Sequence, residues 1–319
     1  MALNLFNYCP MVMYEEELQA HGQTLEDFLN DYGLDGIERF IYELDEASQE
    51  TFKDKIYGTH LYYWPYWLAF WLGKSDKLRR QFPTVAQRNE YFLGALNREE
   101  WLAVIQRNII AAASQDPKYM VWHVANADVK EIFTWKFRYG DKDVLKSTAQ
   151  VVNAVSIAKP AGVQLLFENL WWPGLRLTDK ELVKYFFDLI ECEDVGIMLD
   201  TGHLMNTNPD LRNEQEAADY VCRIIDGLGE YAKLIKGVHL SCSLSGEYQK
   251  NTPHKVPANC DRMAIWKHVI QIDRHQPFRT KAAKQILDCV EPDFINHELC
   301  YRDLYDLKEL LPVQLENCK

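Results

Sequence analysis

The segment GIMLDTGHL, residues 196–204, decides the fold of this chain. A short apolar run that ends in a carboxylate, Asp200, with His203 three residues further on, is typical of a strand buried on both faces. Seven other apolar or β-branched runs follow the same pattern, and longer amphipathic stretches separate them. The eight predicted strands span Leu3–Tyr8, Gly36–Ile41, Ile56–Leu61, Tyr119–Val124, Val163–Glu168, Gly196–Asp200, Lys236–Leu240 and Asp293–Glu298. This alternation predicts an α/β fold with parallel βα units, and eight units fit a closed (β/α)8 TIM barrel better than an open sheet.

The segments between these runs predict helices. They span Thr24–Asn30, Arg98–Ser114, Asp143–Lys159, Asp179–Ile190, Asn213–Ile235, Lys281–Val290 and Arg302–Leu311. Thr24, Thr178 and Thr280 are the expected N-cap residues of three of them. Two long insertions are predicted, one from residue 62 after strand 3 and one over Ser241–Arg279 after strand 7, the latter with a short helix at Met263–Gln271. Because no Gly- or Ser-rich linker divides the chain, residues 1–319 are expected to form a single domain.

The composition is that of a globular protein with an acidic surface. The chain has 35 Lys and Arg residues against 47 Asp and Glu residues, a net charge of −12, and 47% of its residues are hydrophobic. This charge disfavours nucleic acid or an anionic membrane as the main partner, since both require a concentrated basic surface. No window reaches the roughly 18 apolar residues of a membrane helix, and the N-terminal segment has no secretory signal pattern. The eight cysteines show no CxxC spacing, which predicts free thiols in a cytoplasmic protein.

Histidine and carboxylate side chains end six consecutive predicted strands. They are His60, His123, Glu168, Asp200, His239 and Glu298, and Asp273, His275 and His203 lie in the loops. The carboxyl ends of the strands in such a barrel meet at one face. A single histidine at a strand end is more often a hydrogen-bonded core residue, but six such ends would bury carboxylates at a high cost unless a cation compensates them. The pattern therefore predicts a metal site at this face.

Four short motifs resemble those of the xylose-isomerase-like barrels, a family that includes sugar phosphate isomerases and epimerases and abasic-site nucleases of the endonuclease IV type. The motifs are FEN at 167–169, LDTGH at 199–203, VHL at 238–240 and HE at 297–298. The resemblance covers nearly the whole chain. It implies that one divalent ion, Mn, Co, Mg or Zn, is held by four residues: Glu168, Asp200, His239 and Glu298.

The same resemblance implies further roles. Glu168 and Glu298 would act as acid and base, and His203 would bind substrate as in the epimerases or a further zinc ion as in the endonucleases. The remaining endonuclease ligands match four residues, His60, His123, Asp273 and His275, and would raise the count to as many as three zinc ions. GIE at 36–38 resembles the family's second-strand signature, so Glu38 either faces the substrate or forms a structural salt bridge.

These features favour a metal-dependent isomerase or epimerase that acts on a sugar or sugar phosphate. The metal ion would stabilise an enediolate between the two glutamates. Trp64, in the aromatic insertion after strand 3, and Trp171, after strand 5, are candidate walls for the sugar. The alternative for Trp64 is a satellite core or a subunit interface in a homo-oligomer, and the alternative for Trp171 is packing at the barrel rim.

Two other functions stay open. The first is zinc-dependent phosphodiester hydrolysis, as in an endonuclease IV-like AP endonuclease, and the second is a non-catalytic sugar-binding barrel. Against the first, SCSLSGEYQ follows VHL where the endonucleases carry an Asn-Asp-Ser-Lys run, and Asp273 lies 34 residues beyond His239, farther than their pattern places it. Against the isomerase, the Arg that epimerases often carry shortly after the strand-seven His does not occur before Arg262.

Overall fold

Eight parallel strands close into one barrel in chain order. The computed structural model describes residues 2–9, 12–42, 44 and 52–319. The strands are β1 (Leu3–Tyr8), β2 (Gly36–Phe40), β3 (Ile56–His60), β4 (Tyr119–His123), β5 (Gln164–Glu168), β6 (Val195–Asp200), β7 (Ile235–His239) and β8 (Phe294–His297), and β8 pairs with β1. Each predicted strand boundary is within one residue of the observed one. The prediction succeeds because strands of a parallel barrel are covered on both faces and therefore appear as continuous apolar runs.

Helices cover the outside of the barrel and fill its long connections. They are α1 (Val12–Ala20), α2 (Leu25–Tyr32), α3 (Leu68–Trp71), α4 (Ser75–Gln81), α5 (Val85–Tyr91), α6 (Arg98–Ala113), α7 (Val129–Thr134), α8 (Asp141–Val155), α9 (Lys180–Leu189), α10 (Thr201–Met205), α11 (Glu214–Leu228), α12 (Gly246–Asn251), α13 (Arg262–Ile272), α14 (Ala282–Val290) and α15 (Leu304–Asn317). None of the described helices is long and apolar enough to cross a lipid bilayer. All eight cysteines lie in the described ranges and are free thiols, as predicted.

One of the three predicted N-cap residues caps its helix, and two do not. Thr24 caps α2, and its hydroxyl accepts the N–H of Asp27 in a capping box, as predicted. Thr178 is wrong as a cap, because the carboxylate of Asp179 caps α9. Thr280 is wrong as well, because α14 begins one residue later without a side-chain cap, and the Thr280 hydroxyl donates to Glu214 instead.

Helix α11 ends seven residues earlier than predicted. It ends at Leu228 rather than at residue 235, and a 3-10 turn over Gly229–Leu234 leads into β7. Gly229 has a φ of 58°, in the left-handed region that stops an α-helix and that glycine adopts without strain. The amphipathic pattern continues through this turn, so periodicity alone did not show the end of the helix.

The barrel interior below the strand ends is filled with apolar side chains. Val121, Leu166 and Met198 stand two residues before His123, Glu168 and Asp200, respectively, and pack in one cluster with Leu5 and Tyr119. Because residues two apart on a strand face the same side, this layer lies beneath the strand-end side chains and shields them from below.

The Tyr119 ring crosses the barrel in front of β3. It occupies the space that a side chain at Gly58 would take, since a Cβ there would lie 2.3 Å from Cζ of Tyr119. Gly58 is thus required by close packing and leaves the Tyr119 hydroxyl free to reach across the interior to β2.

The two long connections follow β3 and β7. The first, residues 61–118, contains α3 to α6, and the second, residues 240–293, contains α12 to α14. The predicted helix at 263–271 in the second connection is observed as α13. Both connections leave the carboxyl ends of their strands, so both lie over the face where the candidate ligands were expected.

Candidate metal centre

Nine histidine and carboxylate side chains converge at the carboxyl end of the barrel. They are His60, His123, Glu168, Asp200, His203, His239, Asp273, His275 and Glu298. These are all nine residues that the sequence predicted as possible metal ligands. Eight of them form three overlapping groups, and within each group the ligand atoms lie within 4.8 Å of one another. Asp273, the ninth residue, contacts His203 and His275, which belong to one of these groups.

The first group comprises His60, His123 and Glu168. Oε2 of Glu168 lies 3.1 Å from Nε2 of His60 and 3.2 Å from Nε2 of His123. The three residues end β3, β4 and β5, which are neighbours in the barrel, and the pairing of His123 with Glu168 across β4 and β5 holds two of them side by side. Two imidazoles and a carboxylate form a ligand set typical of zinc.

The second group comprises Glu168, Asp200, His239 and Glu298. Nδ1 of His239 lies 2.8 Å from Oε2 of Glu298 and 3.5 Å from Oε1 of Glu168. Both Nδ1 of His239 and Oε2 of Glu298 are nevertheless without a hydrogen-bond partner, since their mutual geometry is not that of a hydrogen bond. A short distance without a hydrogen bond is expected for two atoms that could bind the same metal ion.

The third group joins His203 and His275 through a carboxylate. Oδ2 of Asp273 lies 3.1 Å from Nε2 of His203 and 2.7 Å from Nε2 of His275, and Asp200 lies within reach of both imidazoles. An antiparallel bridge between Cys242 and Gln276 returns this distant segment to the end of β7. The long spacing from β7 to Asp273 therefore does not remove this residue from the centre.

Backbone carbonyls orient three of the imidazoles. Nδ1 of His60, His203 and His275 lies 3.0, 2.8 and 3.1 Å from the carbonyl oxygens of Leu61, Asn169 and Glu298, respectively. A carbonyl only accepts, so each Nδ1 carries the proton and each Nε2 is available to a metal ion. Such outer partners fix the tautomer and the ring direction of a metal-binding histidine.

Buried carboxylate oxygens without hydrogen bonds show that the centre fits metal ions. Oε1 of Glu168, Oδ2 of Asp200, Oδ1 of Asp273 and Oε2 of Glu298 have no hydrogen-bond partner. Among the described residues, the ion pairs of these four carboxylates are with histidines and with no Lys or Arg. Buried carboxylate oxygens without a hydrogen bond are costly, and nitrogen and oxygen ligands without thiolate suit zinc or another divalent ion.

The pKa values of these groups show strong coupling between carboxylates and imidazoles. Burial raises the pKa of Asp200 to about 7. Burial opposes ionisation of Glu298, but His239 and His275 outweigh it and lower the pKa of Glu298 to about 2. Burial also disfavours the charged form of His275, yet Asp273 raises the pKa of this imidazole to about 10. Protons thus compensate the carboxylates, and metal ions would displace them.

Glu38 lies behind His239. Its Oε2 accepts hydrogen bonds from Nε2 of His239 at 3.0 Å and from the hydroxyl of Tyr119 at 2.8 Å, and all three side chains are buried. Since His239 donates through Nε2, its Nδ1 is the atom available to a metal ion. Of the two roles that the sequence left open for Glu38, this geometry matches the salt bridge rather than a substrate contact.

The two tryptophans predicted to line the site lie in different surroundings. Trp64 is buried in the aromatic core of the β3 connection, where its indole N–H donates to the carbonyl of Tyr91 and its ring packs 5.7 Å from Trp101. Trp64 is therefore part of a satellite core, which was one of the alternatives to a sugar-binding wall. Trp171 is also buried, but its ring lies 5.2 Å from that of His203, and its indole N–H has no hydrogen-bond partner.

Two residues at the centre were not predicted from the sequence. The Asn169 amide brackets Asp200, donating to its carbonyl and accepting its N–H, both at 2.9 Å. Tyr63 stacks on His123 with ring centroids 4.4 Å apart. The FEN motif contains Asn169 directly after a ligand, which was a usable signal, whereas no local pattern separates Tyr63 from the other aromatic residues of its insertion.

Comparisons with known proteins agree with this architecture. The sequence profile of the xylose isomerase-like TIM barrels matches residues 27–280. Endonuclease IV from Thermus thermophilus is similar in structure, with a TM-score of 0.54 and 13% identity over 99% of this chain and 98% of that one. The 3-keto-D-glucoside 4-epimerase YcjR from E. coli, in its apo form, gives a TM-score of 0.50 and 12% identity over 100% of both chains. A search of curated proteins gives no match. At these identities the structural likeness shows the fold alone.

Proposed function

The chain belongs to the xylose isomerase-like TIM barrel family, and on that premise we propose that it is a metal-dependent phosphodiester hydrolase. The observation that carries this proposal is the complete set of three adjacent ligand groups. An isomerase or epimerase, which the sequence favoured, needs only the second group. It leaves His60, His123, Asp273 and His275 without a chemical role, although all four are placed with nitrogen or oxygen atoms towards the centre.

The charge of the centre supports the same choice. Three divalent ions carry six positive charges against four carboxylates, Glu168, Asp200, Asp273 and Glu298, so the occupied centre is cationic when the imidazoles are neutral. A cationic centre attracts the anionic phosphodiester group. One divalent ion held by the three carboxylates of the second group gives a net negative site instead, which suits an uncharged sugar.

The residues of the candidate centre would have different roles in this reaction. Glu168 belongs to the first two groups and Asp200 to the last two, so each of these carboxylates would help to hold metal in two groups. When bound, adjacent divalent ions activate water and stabilise the entering and leaving oxygens of a phosphodiester. His60, His203 and His275 would present Nε2 because their Nδ1 protons are held by carbonyl groups. Tyr63 and Trp171 pack against His123 and His203, respectively, and would limit the access of water to these imidazoles.

Metal counting combined with a simple phosphodiester substrate tests the proposal. We expect three zinc ions per chain, hydrolysis of bis(p-nitrophenyl) phosphate, and loss of that activity in a chelator. His60→Gln should lose one ion and about 100-fold or more in kcat, because the first group is left with two ligands. The matched control is His268→Gln, which changes a buried histidine outside the centre and should keep both the metal count and the activity. An abasic-site duplex is the second substrate to assay.

The second candidate is the isomerase or epimerase, which the second group alone supports. Glu168 and Glu298 both reach His239 in that group and could act as acid and base on either side of a sugar carbon. This reaction exchanges the hydrogen alpha to a ketose carbonyl with solvent deuterium. One ion per chain, deuterium exchange and indifference to His60→Gln would replace the hydrolase with the isomerase. Metal binding with neither reaction would leave the sugar-binding barrel.

A further inference from the structure

A large cavity opens on the face of the barrel that carries the metal centre. Its volume is about 770 Å³, and its walls come from the β3 connection around α4 and α5, from α7 after β4, and from the start of α13 after β7. All three segments leave the carboxyl ends of their strands. Asp128 in the wall follows His123 by five residues, so it lies within about 18 Å of that ligand along the chain.

Five cationic side chains line this cavity, although the chain as a whole has a net charge of −12. They are Lys77, Arg80, Lys130, Arg138 and Arg262. Three carboxylates, Glu90, Asp128 and Asp261, share the wall, so the lining is net positive. Concentration of positive charge on an otherwise acidic protein is the electrostatic pattern of an anion site.

The carboxylates of the wall are already engaged. Glu90 pairs with Arg262 at 2.7 Å. Asp128 and Asp261 cap the N-termini of α7 and α13, where their side chains accept backbone N–H groups at 2.9 and 2.7 Å. A cap holds its carboxylate against the helix end and away from neighbouring cations.

Four of the five cations form no ion pair with a carboxylate within 4.0 Å among the described residues; they are Lys77, Arg80, Lys130 and Arg138. Lys77 donates instead to the hydroxyl of Tyr139 at 2.8 Å, and the charge of Arg138 favours ionisation of the neighbouring Glu131. Arg80, Lys130 and Arg138 come from α4, from α7 and from the loop after α7, and all three line the same cavity. Arginine and lysine in such a set bind phosphate oxygens by charge-assisted hydrogen bonds.

The cavity also has an aromatic wall. Tyr66 and Tyr91 stack with ring centroids 4.5 Å apart, and Phe82 packs 4.9 Å from Tyr91. Aromatic surface beside phosphate-binding cations suits an anion that carries an organic body rather than a free inorganic ion.

From this geometry we infer that the cavity binds a second phosphate group of the substrate, distinct from the phosphodiester that the metal centre cleaves. The inference rests on the proposed hydrolase function. The anchored phosphate would hold a long substrate across the face of the barrel, with Arg80, Lys130 and Arg138 as its ligands and the metal centre at the reacting bond. A phosphate attached to a nucleotide strand and one attached to a sugar share this chemistry.

Competitive inhibition of bis(p-nitrophenyl) phosphate hydrolysis tests the second site. The probes are matched pairs that differ in one terminal phosphate: the thymidine dinucleotides pTpT and TpT, and fructose 1,6-bisphosphate and fructose 6-phosphate. We expect the extra phosphate to tighten inhibition by about tenfold or more in at least one pair, as for a charged group gaining charge-assisted hydrogen bonds. The pair that shows this preference identifies the source of the phosphate.

The variant Arg80→Ala/Lys130→Ala should reduce the preference for the probe with the extra phosphate to within about twofold. The matched control is Lys146→Ala/Arg223→Ala, which removes the same charge from the exposed faces of α8 and α11 and should keep the preference. Equal inhibition within both pairs in the wild type, or a preference that survives in the Arg80/Lys130 variant, overturns the inference.

Calorimetric titration of the metal-loaded protein with the same probes separates the two proposals. If bis(p-nitrophenyl) phosphate is not cleaved but the phosphorylated probe still binds about tenfold more tightly, the hydrolase proposal fails and the second site stands. If the diester is cleaved and no preference is seen, only the second site fails.

Discussion

Replacement of Glu38 by glutamine tests whether this buried carboxylate strengthens metal binding by His239 in the proposed metal centre. Oε2 of Glu38 lies 3.0 Å from Nε2 of His239, and both residues are fully buried. Glutamine keeps the shape and an acceptor oxygen, so Glu38→Gln removes the negative charge and little else. Loss of a carboxylate partner of a metal-binding histidine costs about 10- to 100-fold in metal affinity, or about 1.4–2.8 kcal/mol at 25 °C.

Tyr119→Phe is the matched control for that change. Burial and the neighbouring Glu38 carboxylate raise the pKa of Tyr119 well above 10, so its hydroxyl stays protonated and donates to Oε2 of Glu38 at neutral pH. Removing this donor leaves the charge on Glu38 in place. Tyr119→Phe should therefore weaken zinc binding by less than about tenfold, the cost of one hydrogen bond.

The assay is competition for zinc between the protein and a chelating fluorophore at pH 7.5. Glu168→Gln provides the upper limit, because this residue contributes to two ligand groups. Zinc affinity of Glu38→Gln within twofold of the wild type would refute the argument that His239 needs its buried carboxylate. Equal losses in Glu38→Gln and Tyr119→Phe would point instead to a packing defect.

Three further predictions concern stability. In urea denaturation, Gly58→Ala should lower the free energy of unfolding by at least about 1–3 kcal/mol, because the new Cβ would lie 2.3 Å from the Tyr119 ring. Gly227→Ala should instead raise the free energy of unfolding by up to about 1 kcal/mol, because Gly227 lies in α11 with open space around its Cα. Burial lowers the pKa of His268 below 6.5, so the unfolded chain binds more protons in acid and the free energy of unfolding falls as the pH drops below 6.5. His268→Gln should make this fall smaller between pH 7.5 and 5.5. An unchanged dependence of stability on pH in this variant would contradict the lowered pKa of His268. Removal of bound metal by a chelator should lower the Tm, and zinc should restore it, because ions bind the folded state by linkage; a Tm that does not respond would count against a metal centre.

Local sequence was sufficient to locate the strands and most of the candidate metal ligands. The apolar run before Asp200 shows a buried strand, and the carboxylate at its end falls at the carboxyl face because all strands of the barrel are parallel. The same reasoning placed His60, Glu168 and His239 correctly at the ends of β3, β5 and β7.

The tertiary structure changed the order of the functional hypotheses. By spacing, Asp273 lies too far from His239 for the endonuclease pattern, and that distance favoured an isomerase. The bridge between Cys242 and Gln276 absorbs the extra residues and brings Asp273 to 3.1 Å from Nε2 of His203. Spacing along a loop does not determine where the loop ends in space, since added residues cost little in closure entropy.

The sequence by itself determined the barrel, its strand boundaries and the set of residues able to bind metal, because these follow from local hydrophobic periodicity and chain direction. Only the tertiary structure decided which carboxylates are shared between candidate ligand groups, that Glu38 accepts a hydrogen bond from His239, that Trp64 belongs to a core, and that cationic side chains line one cavity. Each of these depends on contacts between segments far apart in the chain. Such contacts arise from packing of several elements at once, and no local pattern encodes them.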